Sequence, residues 1–210
     1  GIGRNALYTN TTGHSNVGIG RNALYDNSTG CYNIAVGCSA LANNTTATKN
    51  TAVGHNALGA NTTGANNTAI GCGALQTNTT CHNNTAVGRN ALADSTAGHS
   101  NTAVGLCTLG LLTTGSENTG VGHNTMNTAV TGSGNAAFGY SNMANLTSGS
   151  TNVSAGSSSS PALTTGSNNS TFGASAGISL TTGSNNLLLG HDAGRSGSPG
   201  GTITTGSNEI

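Results

Sequence analysis

Apolar and polar positions along the chain repeat with a fixed period of 17 residues. The phrase Asn-Thr-Ala-Val-Gly occurs at 50–54, 84–88 and 101–105, and close variants of it fill most of the chain. A mostly apolar residue precedes the closing glycine, and leucine or methionine follows it by four positions in the first nine copies. The closing glycines are Gly3, Gly20, Gly37, Gly54, Gly71, Gly88, Gly105, Gly122, Gly139, Gly156, Gly173 and Gly190.

This pattern predicts short β-strands joined by tight corners. A 17-residue unit rich in β-branched residues is too short for a helical repeat, and Asn and Gly tolerate the left-handed backbone of corners. One such coil cannot bury a core, but stacking coils at about 4.8 Å pairs every strand with its neighbours. We therefore expect an all-β fold, a parallel β-solenoid (β-roll) of about twelve 17-residue coils, which forms one domain over residues 1–210 and a rod roughly 55–60 Å long.

Stacking converts each position of the repeat into a column of side chains along the rod. We expect the Val/Ile and Leu/Met columns to fill a narrow interior. An asparagine stands four positions before each closing glycine from Gly20 onward, and stacked amides can bond to one another as a ladder without using charge. The predicted ladder consists of Asn16, Asn33, Asn50, Asn67, Asn84, Asn101, Asn118, Asn135, Asn152, Asn169 and Asn186.

The column seven residues after the closing glycine changes character along the rod. Its first members are polar, from Asn10 to Ser95, and its later members are Leu112, Ala129, Leu146, Leu163 and Leu180. If the column points inward, the core widens in the C-terminal half. If it points outward, the leucines form an exposed apolar stripe that needs a partner. Leu112, Leu146, Leu163 and Leu180 are therefore a candidate interface between copies of the chain.

The end of the chain departs from the period. Thr181-Thr182-Gly183 is followed by Thr204-Thr205-Gly206 after 23 residues, and the six additional residues fall within the loop-like stretch 195–201. We expect 191–210 to form an irregular last coil with an inserted loop. Because the chain begins without methionine and stops inside a motif, we interpret it as a segment of a longer chain.

Composition excludes several classes of partner. Charged residues make up 5% of the chain and its formal net charge is zero, so it has no electrostatic footprint for nucleic acid. The nearly apolar stretch 103–112 is too short to cross a bilayer, so we expect no membrane insertion in this segment. A disordered low-complexity chain would have no reason to keep the strict register.

The repeats resemble those of phage tail-fibre proteins and of surface adhesins from environmental bacteria. The similarity lies in the phrase Asn-Thr-Ala-Val-Gly-x-Asn-Ala-Leu, as at 50–58, and extends over nearly the whole chain. The repeat is also similar to the left-handed β-roll heads of trimeric autotransporter adhesins, whose shorter repeat carries an analogous strand. The stretches 181–190 and 204–210 look like those that precede an intramolecular chaperone in some tail-fibre proteins. The resemblance implies a homotrimer of β-rolls.

The reactive side chains give no sign of a catalytic site. Asp26 and Asp94 share a column but lie four coils apart, roughly 19 Å, which is too far for a carboxylate pair within one chain. Cys38, His55 and Cys72 follow three successive closing glycines and are the one column that resembles a set of metal ligands. Because no Cys-x-x-Cys spacing accompanies it, we predict no metal, no cofactor and no enzymatic activity.

Three functions fit these observations. The first is the shaft of an adhesive fibre, a rigid trimeric rod of a phage tail fibre or similar extracellular appendage that binds a cell-surface receptor or glycan weakly and multivalently. The second is the head of a bacterial trimeric adhesin. The third is an ice-binding solenoid with regular threonine arrays. Against the third, the threonines of each Thr-Thr pair are adjacent, so strand alternation would direct one inward and one outward.

Overall fold

The chain is a parallel β-solenoid with one short strand in each coil. The computed structural model describes residues 1–128, 130–195 and 204–207. Strands lie in sequence order in a single sheet, every neighbouring pair is parallel, and equivalent residues pair at a spacing of 17. The strands are β1 (Val17–Ile19), β2 (Ile34–Val36), β3 (Thr51–Val53), β4 (Thr68–Ile70), β5 (Thr85–Val87), β6 (Thr102–Val104), β7 (Thr119–Val121), β8 (Ala136–Phe138), β9 (Val153–Ala155), β10 (Ser170–Phe172) and β11 (Leu187–Leu189).

The predicted solenoid is thereby confirmed, with eleven strands in the described part of the chain. Its ten steps from β1 to β11 extend over about 48 Å at the usual spacing between strands. The irregular last coil lies partly outside the described residues. The Thr181 hydroxyl nevertheless donates to the Thr204 carbonyl at 3.0 Å, the bond that Thr164 makes to Thr181 one coil earlier. A step of 23 residues therefore replaces one of 17 there.

The closing position admits only glycine, because its backbone has a positive φ and the next coil lies too close for a side chain. Gly54 has φ +134°, and a Cβ atom placed on it would lie 2.6 Å from the carbonyl oxygen of Gly71. An L side chain rarely adopts this φ and would also collide with the neighbouring backbone. The 17-residue glycine pattern therefore marks the contact between successive coils.

Leucine occupies a left-handed corner because its side chain is buried there. Leu24, Leu41 and Leu58 have φ between 50° and 52°, and all three are fully buried. The left-handed conformation costs about 1–2 kcal/mol in a residue that carries a Cβ. Full burial of a leucine side chain contributes about 1.5–3 kcal/mol, which offsets that cost. The Leu/Met column is inside the rod, as predicted.

The prediction that the Val/Ile column also lies inside is wrong. The middle residue of each strand is buried and the two residues that flank it point outward. Ala52 and Ala69 are fully buried, whereas Ile70 is 40% exposed. Strand alternation places only one residue of a three-residue strand in the core, and alanine fits beside the leucine column.

The leucines of the C-terminal half point inward, so they do not form an interface between chains. Leu112, Leu146 and Leu180 have no exposed surface and Leu163 has 1%. The stripe begins while the other core column still holds Leu109, so the two columns overlap over several coils. That other column later holds Ser160, Gly177 and Gly194 in place of leucine or methionine. A Cβ on Gly177 would lie 3.2 Å from the Leu188 side chain, which fills the vacated space. The core changes its filling residues while the coil keeps its size.

The long asparagine ladder forms, but its first half bonds mainly through the backbone. Asn33 Oδ1 accepts the backbone N–H of Asn50, and Asn50 Nδ2 donates to the Gly64 carbonyl. Bonds between side chains were predicted throughout, yet the first of them joins Asn101 to Asn84, and they recur from Asn135 onward. The side-chain amide of Asn50 thus bonds to two backbone groups of the following coil, those of Gly64 and Asn67.

A second ladder in the N-terminal half does bond directly from amide to amide. Asn27 Nδ2 donates to Asn10 Oδ1 at 2.7 Å, and the same bond joins Asn44 to Asn27 and Asn61 to Asn44. The ladder ends at Asn78, whose buried Oδ1 has no partner among the described residues. Ser95 follows in the column, which becomes apolar at Leu112, so the amide ladder and the leucine stripe are alternative fillings of one core position.

We predict that Asn44→Ala destabilises the rod by about 1–3 kcal/mol, because it leaves buried groups of Asn27 and Asn61 without their partner. Urea unfolding followed by circular dichroism measures the change. The matched control is Asn43→Ala, which removes an exposed amide one residue away and should change stability by less than about 0.5 kcal/mol. Equal effects of the two substitutions would contradict the role of the ladder.

Candidate functional site

The candidate metal column does not assemble into a set of three ligands. Cys72 Sγ lies 4.0 Å from His55 Nδ1, but the thiol of Cys38 is bonded instead to Arg21 and Ser39. Within the described ranges no group of three or more His, Cys, Asp or Glu side chains could hold a metal ion. The column therefore places a cysteine–histidine pair beside a separate cysteine–arginine pair.

The arginine–cysteine pair perturbs both side chains. Arg21 Nη2 donates to Cys38 Sγ at 3.3 Å, and this bond lowers the pKa of the Cys38 thiol and raises that of Arg21. Burial has the opposite effect on Cys81, whose pKa it raises. A guanidinium stabilises a thiolate, so Cys38 is the more nucleophilic of the two thiols near neutral pH.

The outer face of the sheet carries two columns of exposed side chains. The residue that closes each strand is largely apolar, and Phe138 and Phe172 are each 41% exposed while Leu189 is 63% exposed. The residue that opens each strand is a half-buried threonine in five consecutive strands. The sequence had predicted that the apolar column lies in the core, and it did not single out the strand threonines. These are Thr51, Thr68, Thr85, Thr102 and Thr119.

The Thr-Thr pairs lie away from this face, and neither threonine of a pair enters the core. Thr45 is half-buried and Thr46 is exposed, and the Thr45 hydroxyl donates to the Thr62 carbonyl of the next coil. The expected alternation is wrong because the pair lies in a turn and not in a strand. The alternation of adjacent threonines was the argument against a regular threonine surface, and it does not apply to the strand threonines.

A surface groove forms where two bulky residues of one column give way to small ones. Tyr8 and Tyr25 stand five residues after their closing glycines, and Ala42 and Gly59 take the same place in the next two coils. The resulting groove has a volume of about 540 Å³. We call it the tyrosine groove, and its lining includes Tyr25, Asp26, Ala42, Asn43, Asn56, Gly59 and Gln76.

A second groove of about 280 Å³ continues along the rod and shares Gln76 with the first. Asp94 and Leu111 line it, and Asp94 occupies the position of Asp26 four coils later. The two aspartates are thus equivalent members of two neighbouring surface depressions. We name the second depression the leucine groove.

Sequence reasoning did not single out either groove. Positions five and six after the closing glycine vary between tyrosine, glutamine, aspartate, alanine and glycine inside an otherwise strict repeat. Variation in size along one outward column is the signal that could have indicated a depression. That signal is weak because the invariant positions, which hold the fold, dominate the repeat.

Comparison with protein-family models, with curated proteins and with solved structures finds no match for this chain. No helix in the described ranges is long and apolar enough to cross a membrane. The features that bear on function are therefore the rod itself, its exposed sheet face and the two grooves.

We predict that Arg21→Gln slows alkylation of Cys38 by iodoacetamide near pH 7, because loss of the guanidinium removes the cause of the lowered thiol pKa. Mass spectrometry of peptides gives the rate at each cysteine, and the pH profile for Cys38 should move to higher pH. The rate at Cys107 is the internal control and should not change. An unaltered profile at Cys38 would show that the arginine does not activate this thiol.

Proposed function

We propose that this chain is a rigid rod segment of an adhesive fibre, such as a phage tail fibre or a similar extracellular appendage. The observation that carries the proposal is the unbroken stack of coils with a surface of hydroxyl and amide groups and few charges. Such a rod spans distance and presents the same groups repeatedly, which suits weak multivalent attachment to a cell-surface receptor or glycan.

A fibre of this kind would be a homotrimer, and the exposed face of the sheet is the surface that would pack between protomers. Apolar side chains are exposed near both ends of that face, namely Ile19 and Ile34 near its start and Phe138, Phe172 and Leu189 toward its end. An exposed apolar strip of this type favours association. The buried leucine column, first considered for this role, has no surface to contribute.

We predict a native mass near three times 20.3 kDa by light scattering. The double substitution Phe138→Lys and Phe172→Lys should reduce the native mass to that of the monomer. The lysine ammonium groups would be buried in an apolar interface without a partner of opposite charge. Tyr140→Lys is the matched control, since Tyr140 is exposed but belongs to another column, and it should leave the mass unchanged. A native mass of 20.3 kDa for the unsubstituted chain would contradict the trimer.

Ice binding is a second candidate, and the strand threonines are the observation that favours it. Five consecutive strands place threonine and an aliphatic residue two positions later on the outer face, at the spacing of the strands. The hydroxyls of Thr68, Thr85 and Thr102 form no hydrogen bond with another described residue, so water can occupy them. A regular array of hydroxyl and methyl groups is the type of surface that can order water.

We predict, under the ice-binding alternative, a thermal hysteresis that Thr85→Lys largely abolishes, because the lysine interrupts the middle of the array. Thr46→Lys is the control, since Thr46 is exposed at a corner away from the sheet face. The hysteresis would be measured by nanolitre osmometry. Absence of hysteresis together with a trimeric mass would favour the fibre, because packing between protomers would cover the same face.

A further inference from the structure

We propose that the tyrosine groove binds a neutral oligosaccharide. A sugar ring would stack on Tyr25, and its hydroxyls would bond to Asp26, Asn43, Asn56 and Gln76, all of which line the groove. This inference deepens the adhesive part of the proposed function and rests on it. It assigns the attachment to one place on the rod and to one class of ligand.

The aromatic platform is held in position before any ligand arrives. The rings of Tyr8 and Tyr25 stack with their centroids 5.3 Å apart and their planes within 4°. Tyr8 covers one face of the Tyr25 ring, and the other face borders the groove above the small side chain of Ala42. A rigid aromatic surface offers contact area at a low cost in conformational entropy. The apolar C–H face of a pyranose ring is the sugar surface that packs on such a ring.

The groove also supplies uncommitted hydrogen-bonding groups. The amides of Asn43, Asn56 and Gln76 and the Asp26 carboxylate form no hydrogen bond with another described residue. Each amide has both donors and an acceptor, and the carboxylate accepts from hydroxyl groups. Adjacent sugar hydroxyls need donors and acceptors placed side by side, and this lining provides them. The backbone N–H of Asn56 donates to the Cys38 carbonyl at 2.9 Å, which anchors one of the amides to the preceding coil.

The charge of the lining selects against acidic ligands. Asp26 carries the one formal charge among the residues that line the groove, and no lysine or arginine is among them. Anionic polysaccharides and nucleic acids need cationic contacts and would be repelled by Asp26. A peptide is also disfavoured, because strands β2, β3 and β4 in the coils that carry the groove are paired on both edges and cannot accept an added strand.

The dimensions fit a short saccharide chain lying along the rod. The tyrosine groove extends from the coil of Tyr25 to the coil of Gln76, three steps that amount to about 14 Å. Its volume of about 540 Å³ falls within the range of ligand sites in proteins. The leucine groove begins on the other side of Gln76, so a longer chain can continue along the same face. In the leucine groove, Asp94 and Asn90 stand at the repeat positions that Asp26 and Asn56 hold in the tyrosine groove.

The test uses the whole chain with a panel of neutral hexasaccharides, namely chito-, manno-, malto- and xylohexaose, and with hexagalacturonate as the anionic probe. Isothermal titration calorimetry measures each Kd, and tyrosine fluorescence reports contact with the aromatic platform. We expect at least one neutral hexasaccharide to bind and hexagalacturonate not to bind. Tyr25→Ala should weaken that binding roughly tenfold by removing the stacking surface.

Two further variants separate the groove from the rest of the rod. Ala42→Gln should also weaken binding, because glutamine would cover the free face of Tyr25. The fold accepts glutamine at this position of the repeat, since Gln76 occupies it two coils later. Tyr140→Ala is the matched control, since it removes an exposed tyrosine from a different column and should leave the Kd unchanged. Circular dichroism and light scattering on every variant establish that the rod and its assembly are intact.

Each outcome decides between the groove and the wider proposal. Equal binding by the unsubstituted chain and by Tyr25→Ala would overturn the groove while leaving an adhesive rod. Preference for hexagalacturonate, or no binding of any neutral hexasaccharide at millimolar concentration, would also overturn it. If the unsubstituted chain proves monomeric yet binds a neutral hexasaccharide through Tyr25, the groove stands and the trimeric fibre does not.

Discussion

Everything in this molecule depends on the contact between one coil and the next. The backbone of each coil bonds mainly to residues 16 to 18 positions away in the neighbouring coils, and the closing glycines allow the coils to approach closely. Because that approach is a backbone contact, it sets the same rise at every step. Side chains then have to stack at this rise whether or not they attract one another. The amide ladders, the paired tyrosines and the threonine array are all consequences of this imposed spacing.

The interior shows how a fixed coil tolerates different fillings. Asparagine and leucine succeed each other in one buried column, and the loss of the other leucine column is met by Leu188. An amide at such a position is acceptable only while its neighbours supply partners, and the unpaired oxygen of Asn78 marks the point where that supply ends. A leucine needs no hydrogen-bond partner but occupies more volume than an asparagine. Replacing asparagine by leucine in one column therefore requires changes in the neighbouring core columns.

The sequence was sufficient to predict the solenoid, its period and its inward Leu/Met column, because each leaves a nearly invariant residue at a fixed spacing. The sequence did not show which residue of a three-residue strand faces the core. Valine is a more usual core residue than alanine, yet Val53 points outward and Ala52 inward, since only one position can face the axis. The grooves escaped prediction for a different reason. The grooves arise from differences between coils, such as Tyr25 beside Ala42, and the repeated residues alone do not reveal such differences.

The long step near the end of the chain has a consequence for how such rods diversify. Thr181 and Asn186 find their usual partners in Thr204 and Gly206 although more chain intervenes than in any other described coil. The stack therefore accepts a step six residues longer than the others without losing the alignment of Thr204 and Gly206 with the preceding coil. A rod built in this way is a scaffold of constant pitch into which segments can be grafted. New recognition loops could be acquired one at a time, by insertion, while the stack of coils stays the same.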